Sequence, residues 1–421
     1  MNNEIYSGIG QSFQGFYKVK IVDATTNEVT WESDWKKNLI LNQGMDALYS
    51  QNIADLTKVA VAGYGTRPNS ISGETSEITQ SGTHAFLNVR TGLANFTSST
   101  STYASTVQVG DIIKYANNSE SMVSTVTDGF NLILSTNYTM PAGQTFVVWK
   151  TSQIGLESEV KRAGGGITNT NYATGTGNCG TTTVSNARTW RRSYDFVSES
   201  IDTTYTEFGI AWATSLATTV FSRILAAPPI IINAGFKLRI VYDLVGTFTP
   251  ATEIYTTASI GGWPVSPSTN IIGSESLQNF LTSTVDTSGN TDATTGMLDP
   301  AFLSSGTSHL TIFASPSSAS LSAFGSSVNR STNAGRSIID MTKAAYVNNS
   351  YYVDKSGILP IDQANRTDLR SIGMGRYVSP SSFAPEASNV VIAFLFNQTQ
   401  SKNSSQTLSL TYRSSWSRTL A

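Results

Sequence analysis

Residues able to carry out acid–base or nucleophilic chemistry are few in this chain and widely separated. The two histidines, His84 in GTHAF and His309 in TSHLTIF, lie among Ser, Thr and Gly residues, without a second histidine at metal-binding spacing. The one cysteine, Cys179, is flanked by glycines and has no activating charge close to it in sequence. One histidine would suffice for a Ser-His-Asp triad, but surface or interface positions explain both histidines better.

Paired carboxylates are the other catalytic option, because glycosidases need two of them roughly 5–10 Å apart. Glu157 and Glu159 in GLESEVKR would share one face of a strand at about 7 Å. Glu199 and Asp202 in SESID form a second pair. Cationic residues follow the first pair at once, and no Trp or Tyr sugar platform clusters there. Charged residues on a solvated strand face therefore explain these carboxylates better than a catalytic centre.

Basic residues cluster once, in ARTWRRSYDF, where Arg188, Arg191 and Arg192 surround Trp190. Such a segment could contact nucleic acid or an acidic partner. The net charge of −2 and the lack of a wider basic surface argue against nucleic acid. We expect an inter-subunit contact or ordinary surface at this cluster.

Two tryptophans lie four residues apart in TWESDWKKNLILNQGMDALYS, residues 30–50. On a continuous strand Trp31 and Trp35 would face the same side, because strand side chains alternate. We expect that side to be core or a subunit seam, and a sugar-binding platform is the alternative.

The second half of this stretch has apolar residues at helical spacing. Asn42 is the expected N-cap of a short helix that starts near Gln43. Leu41, Met45 and Leu48 would then cover one end of a sandwich.

The composition is that of an all-β protein. Of 421 residues only 13% are charged, while 10% are aromatic, and Ser, Thr, Asn and Gly are abundant. The single cysteine excludes an internal disulfide framework, and no apolar run approaches the ~20 residues of a membrane span. The first residues lack the layout of a secretory signal, so we expect folding in a reducing cytoplasm. No cofactor motif is present.

The strand patterns divide the chain into three parts. A hairpin over FYKVKIVDATTNEVTWESDWKKN and later strands at 189–249 suggest a β-sandwich core domain with one short helix, at 1–96 and 156–250. Short strands within 107–149 suggest an inserted small SH3-like barrel at 97–155. The rest, 251–421, is predicted as a β-rich C-terminal domain with long Ser/Thr/Gly-rich loops.

Three local expectations accompany this division. RPNSISGETSEITQSG is predicted as a loop, and Pro228 and Pro229 are predicted to break the chain before IIINAG. NVVIAFLFN and QTLSLTYRSSW, joined by a polar turn, are predicted as a hairpin with Leu408, Leu410 and Tyr412 on one face.

The order of short motifs resembles that of a broad group of bacteriophage virion proteins from tail, neck and fibre-base positions. The motifs are the KN…G…L, GxGT, ExG, SR and P…G…Y patterns. They comprise Lys37, Asn38, Gly44, Leu48, Gly63, Gly65, Thr66, Glu207, Gly209, Ser222, Arg223, Pro229, Gly235 and Tyr242. The match covers roughly residues 15–70 and 190–250, and its specificity lies in the shared order.

This resemblance implies a non-enzymatic structural component of the virion, made in the bacterial host cytoplasm. It would assemble as a homo-oligomer at the tail, neck/collar or fibre attachment region, against other virion proteins. A host-glycan-binding or glycan-cleaving tail protein is the alternative. No catalytic, metal or cofactor residues carry over.

Two hypotheses explain why the motifs contain charged residues and glycines. Glu207 and Arg223 lie in apolar strand contexts, so each would need a charged partner, and we expect them to pair within a subunit or across a ring. The glycines of GYGT are expected to allow tight turns with positive φ.

Overall fold

The computed structural model places strands along most of the segments that it describes. The described residues are 9–51, 53–81, 84–91, 107–126, 131–135, 145–164, 187–213, 220–249, 256–260, 263–265, 267–271, 310–315, 336–338, 342–362, 365–376 and 390–420. The predicted all-β fold is therefore confirmed.

The first part of the chain contains two short helices and fifteen strands in the described residues. The helices are α1 (Asn42–Ala47) and α2 (Ile53–Leu56). The strands are β1 (Ile9–Asp23), β2 (Val29–Glu32), β3 (Lys36–Ile40), β4 (Val59–Gly63), β5 (Ser70–Ser81), β6 (His84–Thr91), β7 (Ile112–Tyr115), β8 (Glu120–Val126), β9 (Asn131–Leu134), β10 (Thr145–Trp149), β11 (Glu159–Gly164), β12 (Ala187–Asp195), β13 (Thr203–Ala211), β14 (Val220–Ile232) and β15 (Phe236–Thr249).

Ten further strands are described after residue 250. They are β16 (Thr256–Ile260), β17 (Trp263–Val265), β18 (Pro267–Ile271), β19 (Leu310–Ser315), β20 (Arg336–Ile338), β21 (Thr342–Lys343), β22 (Tyr352–Leu359), β23 (Arg366–Arg376), β24 (Val390–Lys402) and β25 (Leu408–Arg418).

Two layers of strands enclose the main core. In the first layer β1 pairs antiparallel with β15, and β15 pairs with β12. Strand β3 pairs with both β1 and β14 and so leads into the second layer, β14-β13-β4-β11. Inward side chains of the two layers share one apolar cluster, in which the rings of Tyr17 and Phe208 lie 6.2 Å apart. This arrangement is a β-sandwich.

Helix α1 covers part of this core, but Asn42 is not its N-cap. Leu41 occupies the cap position in extended conformation and no side chain caps the helix. Asn42 lies inside the first turn, where buried partners bind its amide. Leu41, Met45 and Leu48 are fully buried. Met45 and Leu48 lie in this core, as predicted, whereas Leu41 belongs to a second apolar cluster with Val59 and Val61.

The barrel is closed and six-stranded, in the order β10-β5-β6-β9-β8-β7. Two of its strands, β5 and β6, precede residue 97, the predicted start of the barrel. The predicted loop after GYGT is mostly β5, so that prediction was wrong. Strand β5 pairs with β10 on one side and β6 on the other, and this pairing outweighs its Ser/Thr/Gly-rich composition.

Strands beyond residue 250 join two different sheets. Strand β25 pairs in parallel with β1 and antiparallel with β16 and β22, so it belongs to the sheet that contains the first layer of the sandwich. Strand β24 pairs with β18 and β23 in a separate five-stranded sheet. The predicted β24–β25 hairpin is therefore wrong, because each strand has other neighbours.

The two prolines do not end β14. Tyr205 pairs with Ile230 while Glu207 pairs with Leu225, which leaves the prolines in an irregularity of the ladder. Residues in such an irregularity do not donate a backbone hydrogen bond to the neighbouring strand, so proline, which has no N–H, is tolerated there.

Candidate functional site: the polar junction between sandwich and barrel

Both chain connections between the sandwich and the barrel run past one buried ion pair. The chain leaves β4 through residues 64–69 and returns to β11 through residues 150–158. Glu207 on β13 and Arg223 on β14 lie beside these connections, and both side chains are fully buried. We call Glu207, Arg223 and the backbone groups that they bind the junction.

Arg223 binds the outgoing connection. Its Nε donates to Glu207 Oε2 at 2.9 Å, and its Nη2 lies 2.9 Å from the same oxygen. Its Nη1 donates to Asn69 Oδ1 at 2.5 Å, and its Nη2 also donates to the Arg67 carbonyl at 2.9 Å. The pairing predicted for Glu207 and Arg223 is confirmed, and it occurs within one chain.

Glu207 binds both connections. Its Oε1 accepts hydrogen bonds from the N–H of Gly65 at 3.0 Å and of Ser158 at 2.6 Å. Its Oε2 accepts the N–H of Glu157 at 3.0 Å. With Arg223 added, the roughly four lone-pair positions of a carboxylate are occupied.

The glycines of GYGT are required by close approach. Neither Gly63 nor Gly65 has positive φ, so the expectation of left-handed turns was wrong. A Cβ on Gly63 would lie 2.7 Å from Glu207 Oε1, and one on Gly65 would lie 2.5 Å from Glu207 Cδ. Only glycine lets the backbone come this near to the carboxylate.

A second buried polar contact uses further residues of the motif pattern. Asn38 Nδ2 donates to Ser222 Oγ at 2.7 Å, next to Arg223 in sequence. Burial raises the pKa of Tyr242, whose hydroxyl lies near the same amide. A Cβ on Gly209 would lie 2.6 Å from the Ser222 carbonyl. Motif residues that are distant in sequence therefore meet in the interior.

The chemistry of the junction is that of a structural ion pair. Its carboxylate accepts from three backbone N–H groups and one guanidinium, with no exposed surface. A carboxylate enclosed in this way has no open side for a substrate.

The other paired carboxylates also have partners of their own. Glu157 accepts from the N–H groups of Thr66 and Arg67 at 2.8 and 2.9 Å, whereas Glu159 binds Arg162 with one bond of 2.8 Å. Glu199 binds Lys161 and the hydroxyl of Tyr205, each at 2.7 Å.

Asp202 accepts the N–H of Ala234 at 2.9 Å. Each of the four carboxylates that could form a glycosidase pair therefore binds groups within the fold.

The basic cluster lies on β12, which pairs with β15. Arg191 forms a bidentate pair with Asp243, with both bonds at 2.6 Å, and this hydrogen bonding raises its pKa. Arg192 donates to the Thr57 carbonyl at 2.8 Å. Arg188 and Trp190 are described by backbone position only. The two arginines with described side chains bind within the chain.

The two tryptophans do not share a face. Trp31 is paired with Ile21, whose side chain packs against the core. Trp35 lies after the end of β2, with Arg191 Cζ 5.0 Å and Lys18 Nζ 5.4 Å from its ring centroid. The exposed fractions are 44% for Trp31 and 37% for Trp35, so neither is in the core of this chain. The strand ends between them, which removes the alternation on which the prediction depended.

Sequence reasoning missed several residues that attach the barrel. They are Asn42, Asn69, Gly110, Asp111, Lys150 and Arg418. Their partners are far away in sequence, so no local spacing marks them. Of the reactive residues, Cys179 and His309 lie outside the described residues, and His84 is described by its position in β6 alone.

Comparisons of the chain with protein-family models, with curated proteins and with solved structures give no match. Within the described ranges no group of three or more His, Cys, Asp or Glu residues could hold a metal ion. Neither helix of those ranges combines the length and the apolar character that crossing a membrane requires.

Proposed function

We propose that this protein is a non-enzymatic structural component of a bacteriophage particle. It would assemble as a homo-oligomer in the tail, neck/collar or fibre attachment region and contact other virion proteins. The observation that carries the proposal is the junction. Gly63, Gly65, Glu207 and Arg223, which belong to the virion-like pattern, converge on one buried ion pair that fixes a barrel to a sandwich.

Such a junction suits a building block better than a catalyst. Glu207 and Arg223 bind backbone groups of both connections and reach no solvent. Buried hydrogen-bonded ions of this kind fix one geometry of two modules. A particle component must present its modules in one geometry to its neighbours.

The test is the mass of the purified protein in solution, by sedimentation velocity, together with negative-stain electron microscopy. We expect a defined oligomer with a ring or fibre-base outline. Antibodies raised against the protein should then label purified phage particles at one position. A stable monomer that cleaves polysaccharide would overturn the proposal.

The exposed tryptophans favour the alternative, a glycan-binding tail protein, because exposed indole rings stack on sugars. Their positions weaken it, since Trp31 and Trp35 lie on different faces and two cations lie near the ring of Trp35. Glycan-array binding that is lost in both Trp31→Ala and Trp35→Ala would favour this alternative.

A further inference from the structure

Strand β25 and the barrel meet at the side chain of Asn42. Its Nδ2 donates to the carbonyl of Gly110, in the barrel, at 2.7 Å. Its Oδ1 accepts from Arg418 Nη2, on β25, at 2.6 Å. Both Asn42 and Arg418 are buried. One amide therefore joins two segments that have no strand pairing with each other.

The chemistry of the two partners fixes the orientation of this amide. A guanidinium only donates hydrogen bonds, and a carbonyl only accepts them. A flipped Asn42 would turn its oxygen toward the Gly110 carbonyl and its NH₂ toward Arg418. Arg418, together with the Tyr351 hydroxyl that donates to Asn42 Oδ1 at 3.0 Å, thus keeps the Asn42 donor directed at the barrel.

Arg418 itself is held firmly, although none of the carboxylates in the described ranges forms an ion pair with it. Its Nη1 donates to the Ile40 carbonyl at 2.8 Å, and its Nη2 also donates to the Tyr351 hydroxyl at 2.6 Å. Burial lowers its pKa, and the guanidinium lies 5.3 Å from the centroid of the Tyr351 ring. Its position depends on β25, whose Trp416 Nε1 donates to the Met45 carbonyl of α1 at 2.8 Å.

On the barrel side the contact holds two segments. Gly110 has a φ of +91°, and a Cβ there would lie 2.8 Å from Asn42 Nδ2. Its carbonyl also accepts from Thr151 Oγ1 at 2.8 Å, and the N–H of Asn42 donates to the Thr151 carbonyl at 2.8 Å. Residues 107–111 and 150–152 are therefore fixed at this point, and the N–H of Lys150 also donates to the carbonyl of Asn69, whose side chain Arg223 binds, at 2.8 Å.

We propose that Arg418, Asn42 and Gly110 form a relay through which β25 sets the position of the barrel on the sandwich. Arg418 is the positioning residue, and it acts through the Asn42 amide. A partner that displaces β25 would release the barrel at Gly110, while the Glu207–Arg223 junction keeps the other attachment and serves as a hinge. The relay does not depend on the assignment to a phage particle.

Hydrogen–deuterium exchange with mass spectrometry on the full-length protein tests the relay. Arg418→Met should raise amide exchange in 107–111 by about tenfold or more, because Gly110 loses its fixed side-chain donor. Residues 150–152 should change less, because the backbone N–H of Asn42 still donates to the Thr151 carbonyl and the N–H of Lys150 still donates to the Asn69 carbonyl. Peptides covering 59–66 and 157–164, held by the junction, should stay within about twofold of the parent. The matched control is Arg239→Met, which removes a guanidinium bound to Asp195 on the far face of the sandwich.

A second variant separates the relay from a general loss of packing. Asn42→Asp keeps a side-chain oxygen that accepts from Arg418. It replaces the NH₂ donor with a second oxygen, which cannot donate to the Gly110 carbonyl. It should raise exchange in 107–111 and leave 408–418 unchanged, and Arg418→Met should add no further increase in its background. Unchanged exchange in 107–111 in Asn42→Asp, or independent additive increases in the double variant, would overturn the relay. If Arg418→Met does not fold, Asn42→Asp alone decides.

Discussion

Glu207 and Arg223 illustrate how a charged pair is tolerated in an apolar interior. Removing two charges from water costs several kcal/mol per ion, and attraction offsets this only when the other hydrogen-bonding groups are satisfied. Three backbone N–H groups and Arg223 donate hydrogen bonds to the Glu207 carboxylate. Asn69 Oδ1 and the Arg67 carbonyl accept further hydrogen bonds from Arg223. The pair is therefore sensitive to loss of either member.

Glu207→Gln should destabilise the protein by about 3–5 kcal/mol, because it leaves a buried guanidinium without its counter-charge. Urea unfolding followed by tryptophan fluorescence measures this. The control is Glu32→Gln, since Glu32 is 46% exposed where it pairs with Lys18 and Lys20, and exposed pairs contribute about 0–1 kcal/mol. Equal losses in the two variants would contradict the role of burial.

Gly65→Ala should cost about 1–3 kcal/mol, because its Cβ would lie against the Glu207 carboxylate and overpack the junction. Thermal unfolding with and without this change measures the loss. Gly235→Asn is the matched control, since nothing lies within 4 Å of a Cβ there and Asn tolerates positive φ. If the Gly65→Ala protein were as stable as the control, residues 64–69 would be able to move away from the Glu207 carboxylate, and the prediction would be wrong.

At the scale of elements, the first layer of the sandwich has one apolar and one ionic face. Tyr17 and Val19 on β1 point to the core, whereas Lys18 and Lys20 bind Glu32 on the other face. Antiparallel sheets commonly show this division. Cross-strand pairs then fix the register on the solvated side.

Asp195 makes this ionic face sensitive to acid. Burial opposes its ionisation, but hydrogen bonds from Arg239 and Lys237 outweigh that effect and lower its pKa. A folded-state pKa below the unfolded value means stability that is present above about pH 4 and is lost as pH falls through the folded pKa. The free energy of unfolding should therefore decline less between about pH 5 and pH 2 in Asp195→Asn than in the parent. Urea unfolding at each pH measures this. If the free energy of unfolding fell equally with pH in the variant and the parent, Asp195 would not be the source of the acid sensitivity.

At the scale of the whole molecule, two sets of buried polar contacts in the described residues attach the barrel to the sandwich, and Ile112 and Trp149 of the barrel add apolar packing. The Glu207–Arg223 junction holds residues 65–69 and 157–158, and Asn42 holds Gly110 and Thr151. A further buried pair, Asp111 with Lys150, lies within the second attachment. The two sets are linked by the hydrogen bond from the N–H of Lys150 to the carbonyl of Asn69, and together they restrict rotation of the barrel.

Trp31→Ala tests whether the exposed edge of the sandwich takes part in assembly. Because Trp31 is 44% exposed, the change should lower the stability of the isolated subunit little, by about 1 kcal/mol or less, while it weakens oligomer formation. Sedimentation velocity over a range of concentrations measures assembly, and urea unfolding measures stability. Leu48→Ala, at a fully buried position, should instead cost about 2–5 kcal/mol. If Trp31→Ala formed the oligomer as well as the parent does, the contact between subunits would not include Trp31.

The sequence by itself determined the fold class and the main strands of the sandwich. Alternation over residues 16–23, the apolar runs of β13 to β15 and the helical spacing near Met45 are local patterns, and local patterns report which face of an element is buried. It also indicated the Glu207–Arg223 pair, because two charges in apolar strands need each other.

Only the tertiary structure decided which strands are neighbours and what the polar residues bind. Strand β5 is polar in sequence but becomes a barrel strand because β6 and β10 pair with it. Asn42 has the features of a helix cap, yet its amide joins Gly110 to Arg418, 376 residues away from it along the chain. Such contacts join groups that no periodicity connects, so their partners are set by the packing of the whole chain.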